Sequence, residues 1–258
     1  MRITVLGCWA PYPRSGGACS GYVLQDGGAR VLLDLGHGCF SRLSELFNPL
    51  DLKAVILSHL HPDHCGDLPC LRHALRAAKT LGKLSEEEKL PLYLPKEPTL
   101  EAQIIAGYTD SFAVHFIEDL PRTIVPPGVE VYKLDLGAVQ YYLLPVQHKL
   151  SAYAVAVEGS GYLVYSGDSC RTEELVKLID KADIFLCEAS GQDGDEAAMA
   201  GNHLTARQAG EMAQEGRVKE LILTHFFPEY DLENLRQQAE AGYGARVELA
   251  VEGDTYFV

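Results

Sequence analysis

The sequence predicts an α/β protein in which two mixed β-sheets pack face to face and helices cover their outer faces, a four-layer αββα arrangement. Two observations lead to this prediction. Short apolar segments bounded by glycine or proline alternate with segments of helical spacing, and both halves of the chain progress from strands alone to strands mixed with helices. The 24 Gly and 13 Pro are scattered singly rather than massed in a linker, so we expect one domain over residues 1–258.

In the first half, glycine-bounded apolar or alternating segments predict strands, and apolar residues three and four apart predict helices. In chain order these patterns give strand 2–6, strand 21–25, strand 30–35, helix 38–47, strand 54–57, helix 68–81, strand 92–94 and helix 98–106. Asn48-Pro49 ends the first helix, because proline disfavours helical backbone in the residue before it. The apolar stripe of helix 68–81 consists of Leu71, Leu75 and Ala78.

The second half shows four strand patterns and then a regular alternation of helix and strand. In chain order we predict strand 129–134, strand 138–146, strand 152–157, strand 162–166, helix 171–181, strand 184–188, helix 205–215, strand 221–224, helix 232–241, strand 246–251 and strand 255–258. Two sheets packed against each other, with these helices outside, would bury every apolar stripe at once.

The composition excludes several classes of protein. Thirty-six acidic against 22 basic residues give a net charge of −14, which disfavours nonspecific binding to nucleic acid or to an anionic membrane. No apolar run reaches the ~18 residues of a membrane span, and the first residues resemble a strand rather than a signal peptide, so we expect a cytoplasmic protein that does not act at a membrane. The seven Cys form no CxxC pair, which indicates reduced thiols.

The densest polar motif lies between a predicted strand and a predicted helix. Within six residues it contains His59, His61, Asp63 and His64. The two histidines in the extended stretch can project to one side, and Asp63 and His64 can face the same hollow from the first helical turn. Imidazole and carboxylate groups suit zinc, manganese or iron, and four such groups can be divided between two ions. The alternative is a polar helix cap with incidental histidines.

Three further polar residues follow apolar strands at their C-terminal ends: His148, Asp168 and His225. The strand ends of an α/β layer converge on one rim, where ligands commonly bind. Each residue alone would be an ordinary loop residue. With the first motif they complete a set of five His and two Asp, enough for three protein ligands per ion with Asp168 shared between two ions.

The HxHxDH motif formed by residues 59–64 resembles the signature of the metallo-β-lactamase superfamily, and the resemblance extends over almost the whole chain. It implies the αββα fold that the pattern of elements predicts independently. It also implies a division of the ligands: one ion on His59, His61 and His148, a second on Asp63, His64 and His225, and Asp168 bridging both. The expected cofactor is therefore a pair of divalent metal ions, zinc first, with manganese or iron as alternatives.

Within this superfamily, the strand ending in Glu188 and the His203-Leu204-Thr205 element that opens a helix resemble the phosphodiesterase branch, which includes ribonuclease Z. The resemblance implies that His203 contacts the scissile phosphate or protonates the leaving oxygen and that Glu188 orients His203. From the mechanism expected of two divalent ions, Asp63 is also a candidate catalytic residue, which accepts a hydrogen bond from the attacking water. From the residues alone, Thr205 can simply be a helix N-cap and His203 a surface residue.

One departure from ribonuclease Z concerns its long tRNA-binding arm, which lies between the positions matching His148 and Asp168. Here only twenty positions separate these residues, and two predicted strands occupy them. The chain thus resembles the small phosphodiesterase-like hydrolases without this arm. We expect a metal-dependent hydrolase that cleaves a small nucleotide, cyclic nucleotides included, or a related phosphodiester with a hydroxide shared by the two ions.

Three alternatives remain open at the level of sequence. One is a tRNA 3′-processing endonuclease, the second is a lactone, thioester or β-lactam hydrolase that uses the same metal site, and the third is a binding protein that retains only the fold. Resemblance to dimeric phosphodiesterases also suggests a homodimer.

Overall fold

The structure, a computed structural model, describes residues 1–258 and confirms two mixed sheets with helices. Its strands are β1 (Arg2–Gly7), β2 (Gly21–Asp26), β3 (Ala29–Leu35), β4 (Ala54–Ile56), β5 (Leu90–Leu94), β6 (Phe112–Phe116), β7 (Arg122–Val125), β8 (Val129–Leu136), β9 (Val139–Val146), β10 (Ala152–Glu158), β11 (Tyr162–Tyr165), β12 (Ile184–Glu188), β13 (Glu220–Thr224), β14 (Glu248–Leu249) and β15 (Thr255–Phe257).

The helices are α1 (Cys39–Leu46), α2 (Pro62–Cys65), α3 (Leu68–Thr80), α4 (Thr99–Ala106), α5 (Glu173–Leu178), α6 (Glu196–Met199), α7 (Ala206–Glu215) and α8 (Leu232–Tyr243). Two short 3₁₀ helices cover Pro49–Asp51 and Ile117–Asp119. None of the helices combines the length and the apolar character that a membrane crossing requires.

The first sheet has seven strands in the order β15-β1-β2-β3-β4-β5-β6, antiparallel from β15 to β3 and parallel from β3 to β6. The second sheet has eight strands in the order β14-β13-β12-β11-β10-β9-β8-β7, parallel from β14 to β11 and antiparallel beyond it. Consequently β9, β11, β12 and β13 all run in the same direction, and their C-terminal ends lie on one rim.

Both faces of the first sheet are buried, which explains its nearly continuous apolar strands. In β1, Ile3 and Val5 belong to a cluster of 54 buried residues that also includes strands of the second sheet and residues of α5, α7 and α8. The neighbouring Leu6 belongs to a separate cluster of 20 buried residues, together with Leu43 of α1 and Leu71 of α3. Because successive side chains of a strand point to opposite faces, this division places one layer of core on each side of the sheet.

Several elements differ from the sequence prediction at the periphery. The predicted helix 171–181 is shorter, because the Thr172 side chain caps its start by accepting from the backbone N–H of Leu175, and Lys181 has left-handed backbone with φ of 59°. Of the predicted strand 246–251, only Glu248 and Leu249 form a strand, which is β14 at the edge of the second sheet. The strands β6 and β7 and the helix α6 were not predicted, and most of their residues are partly or fully exposed, which weakens the apolar pattern.

The helices α7 and α8 approach each other closely at two glycines. A Cβ atom on Gly210 would lie 2.1 Å from the carbonyl oxygen of Ala239, and one on Gly242 would lie 2.5 Å from that of Arg207. Backbone atoms cannot move aside as a flexible side chain can. These two positions therefore fix the distance between the helices.

We expect Gly210→Ala to lower the free energy of unfolding by about 1–3 kcal/mol, because the added methyl group forces α7 and α8 apart. Urea denaturation followed by circular dichroism measures this change. Gln214→Ala, at an exposed position of the same helix, serves as the control and should change stability by less than about 0.5 kcal/mol. Equal midpoints for Gly210→Ala and the wild type would contradict the close helix contact.

Candidate metal centre

The first part of the site follows β4, at the start of α2. Pro62 occupies the first turn of α2, where a missing backbone N–H costs nothing, and His61 before it has extended backbone with φ of −66° and ψ of 146°. His59 and His61 therefore lie on extended chain, whereas Asp63 and His64 lie on the helix. The structure thus shows the local arrangement that the motif predicts.

The second part of the site comes from loops at the C-terminal ends of β9, β11 and β13, which contribute His148, Asp168 and His225. Gly167 has φ of +58°, and a Cβ atom there would lie 2.7 Å from the carbonyl oxygen of Tyr153, so the turn into Asp168 requires glycine. His225 also has left-handed backbone, with φ of 61°, which is uncommon for a residue with a side chain. Such strain persists only where the surrounding structure holds it.

The seven side chains form two groups that could each hold a metal ion, one of His59, His61, His148 and Asp168 and one of Asp63, His64 and His225. A third, overlapping group joins Asp168 and His225 to His203, and within each group the nitrogen and oxygen atoms lie within 4.8 Å of one another. In the first group, the His61 Nδ1 atom lies 3.0 Å from His59 Nε2 and 3.2 Å from His148 Nε2. In the second group, which includes Asp63, the Nε2 atoms of His64 and His225 are 3.1 Å apart. These are the two sets that the family resemblance implies.

Asp168 lies between the two groups. Its Oδ2 atom is 3.5 Å from His59 Nε2, and its Oδ1 atom is 3.0 Å from His225 Nε2 and 3.1 Å from His64 Nε2. Despite these short distances, Oδ1 is buried and has no partner with hydrogen-bond geometry. This buried carboxylate oxygen lacks a hydrogen bond, and the nearby imidazole nitrogens point toward one another. A cation between these atoms would stabilise the arrangement. The donor set of imidazoles and carboxylates fits zinc.

The two groups differ in their electrostatics. Burial lowers the pKa of His59 well below its ordinary value, and it also lowers the pKa values of His61 and His148, so these rings are neutral and free to donate lone pairs. Burial also disfavours the charged form of His225, but the Asp168 carboxylate outweighs it and raises the pKa to about 10. The carboxylates therefore draw positive charge to the second group.

Glu188 and His203, the pair that the family resemblance implies, lie beside this cluster. Glu188, the last residue of β12, is fully buried, and its two oxygens accept from His203 Nδ1 at 3.1 and 3.2 Å. Burial opposes the charged form of His203, but Glu188 outweighs it and raises the pKa of His203. Because Nδ1 donates to Glu188, the other ring nitrogen of His203 is available to a bound molecule.

Comparison with known proteins identifies the family. The family model for the β-lactamase superfamily domain matches residues 29–226. The chain belongs to the β-lactamase superfamily. The "Probable metallo-hydrolase YhfI" of Bacillus subtilis is 29% identical over 255 residues, which cover 98% of each chain. The crystal structure of that metallo-β-lactamase fold protein superposes with a TM-score of 0.87 over 99% of this chain and 98% of the other.

Two human proteins extend the comparison. "Zinc phosphodiesterase ELAC protein 2" is 31% identical over 224 residues, which span 78% of this chain but 26% of that protein. The crystal structure of the short form of human tRNase Z has a TM-score of 0.77, at 22% identity, over 100% of this chain and 99% of the other, and it shows the shared fold. With the His/Asp cluster, these relatives identify this superfamily member as a metallo-hydrolase.

A cavity of about 380 Å³ opens onto the cluster of this hydrolase. Six polar residues line it, and five of them are the predicted site residues His61, Asp63, Asp168, His203 and His225. The sixth is Ser190, which the sequence analysis did not single out. The remaining lining residues are apolar: Ala10, Pro11, Pro62, Met199 and Phe227.

Ser190 links Glu188 to His225 through two hydrogen bonds. Its hydroxyl donates to Glu188 Oε2 at 2.6 Å, so it must accept from His225 Nδ1 at 2.8 Å. That acceptance places the His225 proton on Nδ1 and leaves Nε2 as a potential ligand atom. The position of Ser190, two residues after a buried strand that ends in Glu188, was the only sequence signal for it.

Asp34 is the second residue that the sequence analysis did not assign to the site. It lies in β3, is fully buried, and has left-handed backbone with φ of 58°. Its Oδ1 atom accepts from the backbone N–H of Ser58 at 2.7 Å, and its Oδ2 atom accepts from the Ser58 hydroxyl, the Tyr165 hydroxyl and His64 Nδ1, each at 2.8 Å. The carboxylate therefore fixes the tautomer of His64 and holds the start of the HxHxDH loop.

We expect Asp34→Asn to weaken zinc binding about 10- to 100-fold, because an amide cannot accept from all of these donors and His64 loses its orientation. It should also lower the free energy of unfolding by about 1–3 kcal/mol. Competition with a zinc indicator dye measures the affinity, and urea denaturation measures the stability. Asp51→Asn, which removes a carboxylate from an exposed ion pair with Arg30, is the control. Unchanged zinc affinity in Asp34→Asn would refute the orienting role.

Proposed function

We propose that this hydrolase cleaves small phosphodiesters, such as cyclic nucleotides or other diesters of nucleotides, with two divalent metal ions, zinc first. The single observation on which the proposal depends is the Glu188–His203 pair, whose imidazole lines the same cavity as Asp63 and Asp168. A histidine with a raised pKa beside a metal cluster can protonate the alkoxide that leaves when an alkyl phosphodiester is cleaved.

The size of the cavity favours a small substrate. Its volume of about 380 Å³ lies at the lower end of the ~300–1,000 Å³ range of ligand pockets. Between His148 and Asp168 the chain forms only the strands β10 and β11, joined by a short turn, so no arm for a large RNA is inserted there. The net charge of −14 also argues against extended contacts with a polyanion.

In this proposal His59, His61 and His148 would hold the first ion and Asp63, His64 and His225 the second. Asp168, whose two oxygens face both groups, would contribute to both. When bound, the ions would neutralise the phosphodiester and lower the pKa of the attacking water. No Lys or Arg lines the cavity, so among its side chains only the His203 imidazole would add positive charge to that of the ions.

The residues of the chain contribute the remaining steps. Asp63 accepts a hydrogen bond from the attacking water and aligns it with phosphorus, and the water releases one proton to solvent before it attacks. As the new phosphorus–oxygen bond forms and the bond to the leaving oxygen breaks, His203 gives its proton to that oxygen. Glu188 accepts from Nδ1 and so keeps the imidazole oriented and charged before the transfer.

The decisive assay uses protein stripped of metal with a chelator and refilled separately with zinc and with manganese. We expect either metal to restore cleavage of bis(p-nitrophenyl) phosphate and of a cyclic nucleotide, while a lactone, a β-lactam and a precursor tRNA remain intact. His61→Ala should lose metal and activity together. Turnover of the lactone or the β-lactam without diester cleavage would contradict the proposed substrate class, and cleavage of the precursor tRNA would favour ribonuclease Z activity.

We expect His203→Ala to retain both ions and to lose about 10²- to 10⁴-fold in kcat on a cyclic nucleotide, whose leaving group is a poorly stabilised alkoxide. The loss on bis(p-nitrophenyl) phosphate should be smaller, because nitrophenolate leaves without a proton. Metal content is measured by atomic emission, and His73→Ala, at an exposed position of α3, is the control. Equal losses on both substrates, or loss of the ions, would rule out the role of proton donor.

A further inference from the structure

The apolar part of the cavity has no role in the metal centre. It consists mainly of Pro11 and Phe227, which lie in two separate loops, and of Met199, the last residue of α6. These three side chains line the same space as His203 and Asp168. We call these three side chains the apolar wall. Every polar lining residue is either part of the predicted site or Ser190, which is bonded to it. No Lys, Arg, Asn or Gln lines the cavity.

The Phe227 ring is held in place from two sides. It packs against Tyr12 at 5.9 Å and 67°, and against Tyr230 at 5.3 Å and 45°. The Tyr12 hydroxyl donates to Glu229 at 2.6 Å, and the Tyr230 hydroxyl donates to Asp195 at 2.8 Å. Because both neighbouring rings are themselves anchored, Phe227 presents a fixed aromatic surface to the cavity.

The rest of the apolar wall is also anchored. The loop that carries Pro11 is joined to the segment after β13, since Ala10 N–H donates to the Phe226 carbonyl at 2.9 Å and Phe226 N–H donates to the Cys8 carbonyl at 2.8 Å. Met199 lies over Gly191, where a Cβ atom would come within 2.6 Å of its Cγ atom. The apolar wall is therefore a preformed surface rather than a set of loose side chains.

We propose that the apolar wall is the subsite for the base of a nucleoside phosphate and that it binds purine bases by stacking without distinguishing their hydrogen-bonding edges. This inference rests on the proposed phosphodiesterase function. A planar, uncharged group can cover Phe227 while its phosphate reaches the cluster, and every base has a face that stacks. Discrimination between bases requires side-chain or backbone groups that pair with their edges, and the apolar wall offers no polar side chain.

The test compares ligands that share a phosphate and differ in the base. Zinc-loaded protein is titrated by calorimetry with adenosine 5′-monophosphate, guanosine 5′-monophosphate and ribose 5-phosphate. We expect both nucleotides to bind at least about fivefold more tightly than ribose 5-phosphate, and within about threefold of each other. Phe227→Ala should remove the advantage of the nucleotides and leave ribose 5-phosphate unchanged, whereas Phe227→Tyr should retain it. Phe257→Ala, at an exposed position of β15, is the matched control.

Equal binding of ribose 5-phosphate and the two nucleotides would overturn the subsite, as would failure of all three to bind. A preference of more than about tenfold between adenine and guanine would overturn the lack of base selectivity. Hydrolysis of bis(p-nitrophenyl) phosphate is measured on the same preparation. Metal-dependent hydrolysis without a base effect refutes the subsite alone, whereas base-dependent binding without cleavage of any diester refutes the proposed function and leaves the subsite standing.

Discussion

The burial of a polar cluster where strands of both sheets end is the constraint on which the rest of this structure depends. His59, His64 and Asp168 are at most 1% exposed, and each would cost free energy there without partners. Other buried polar groups, rather than solvent, are the partners that offset this cost. The apolar layers on either side of the sheets then hold these groups within hydrogen-bonding distance.

Two carboxylates outside the predicted ligand set organise the cluster, one from each sheet. Asp34 of the first sheet bonds directly to His64 Nδ1, and Glu188 of the second sheet reaches His225 Nδ1 through the Ser190 hydroxyl. In both histidines Nε2 consequently faces the cluster, and these two atoms are 3.1 Å apart. The packing of one sheet against the other therefore sets the geometry of the second ligand group. A shift of either sheet would move His64 and His225 apart.

Glu188 has a further role, because the same carboxylate accepts from His203 and from the backbone N–H of Ser169 at 2.7 Å. One buried side chain thus connects a candidate ligand, a candidate proton donor and the loop that carries Asp168. In the function that we propose, Glu188 thereby holds the proton donor and the candidate ligands around the reacting phosphate. The apolar wall adds contact area without charge. Such a division suits an acidic protein, since the ions and the His203 imidazole would attract an anionic substrate.

By itself, the sequence determined the αββα layers and the residues of the cluster. Apolar strands with alternating faces and glycine boundaries are local patterns, and the HxHxDH motif places four polar residues on one short turn. The weakly patterned β6 and β7 escaped detection, because their partly exposed residues give little apolar contrast. The tertiary structure alone decided the contacts of Asp34 and Ser190, because each bonds to residues that are distant in sequence. These contacts exist only when the two sheets and their loops meet, so the local sequence does not predict the partners.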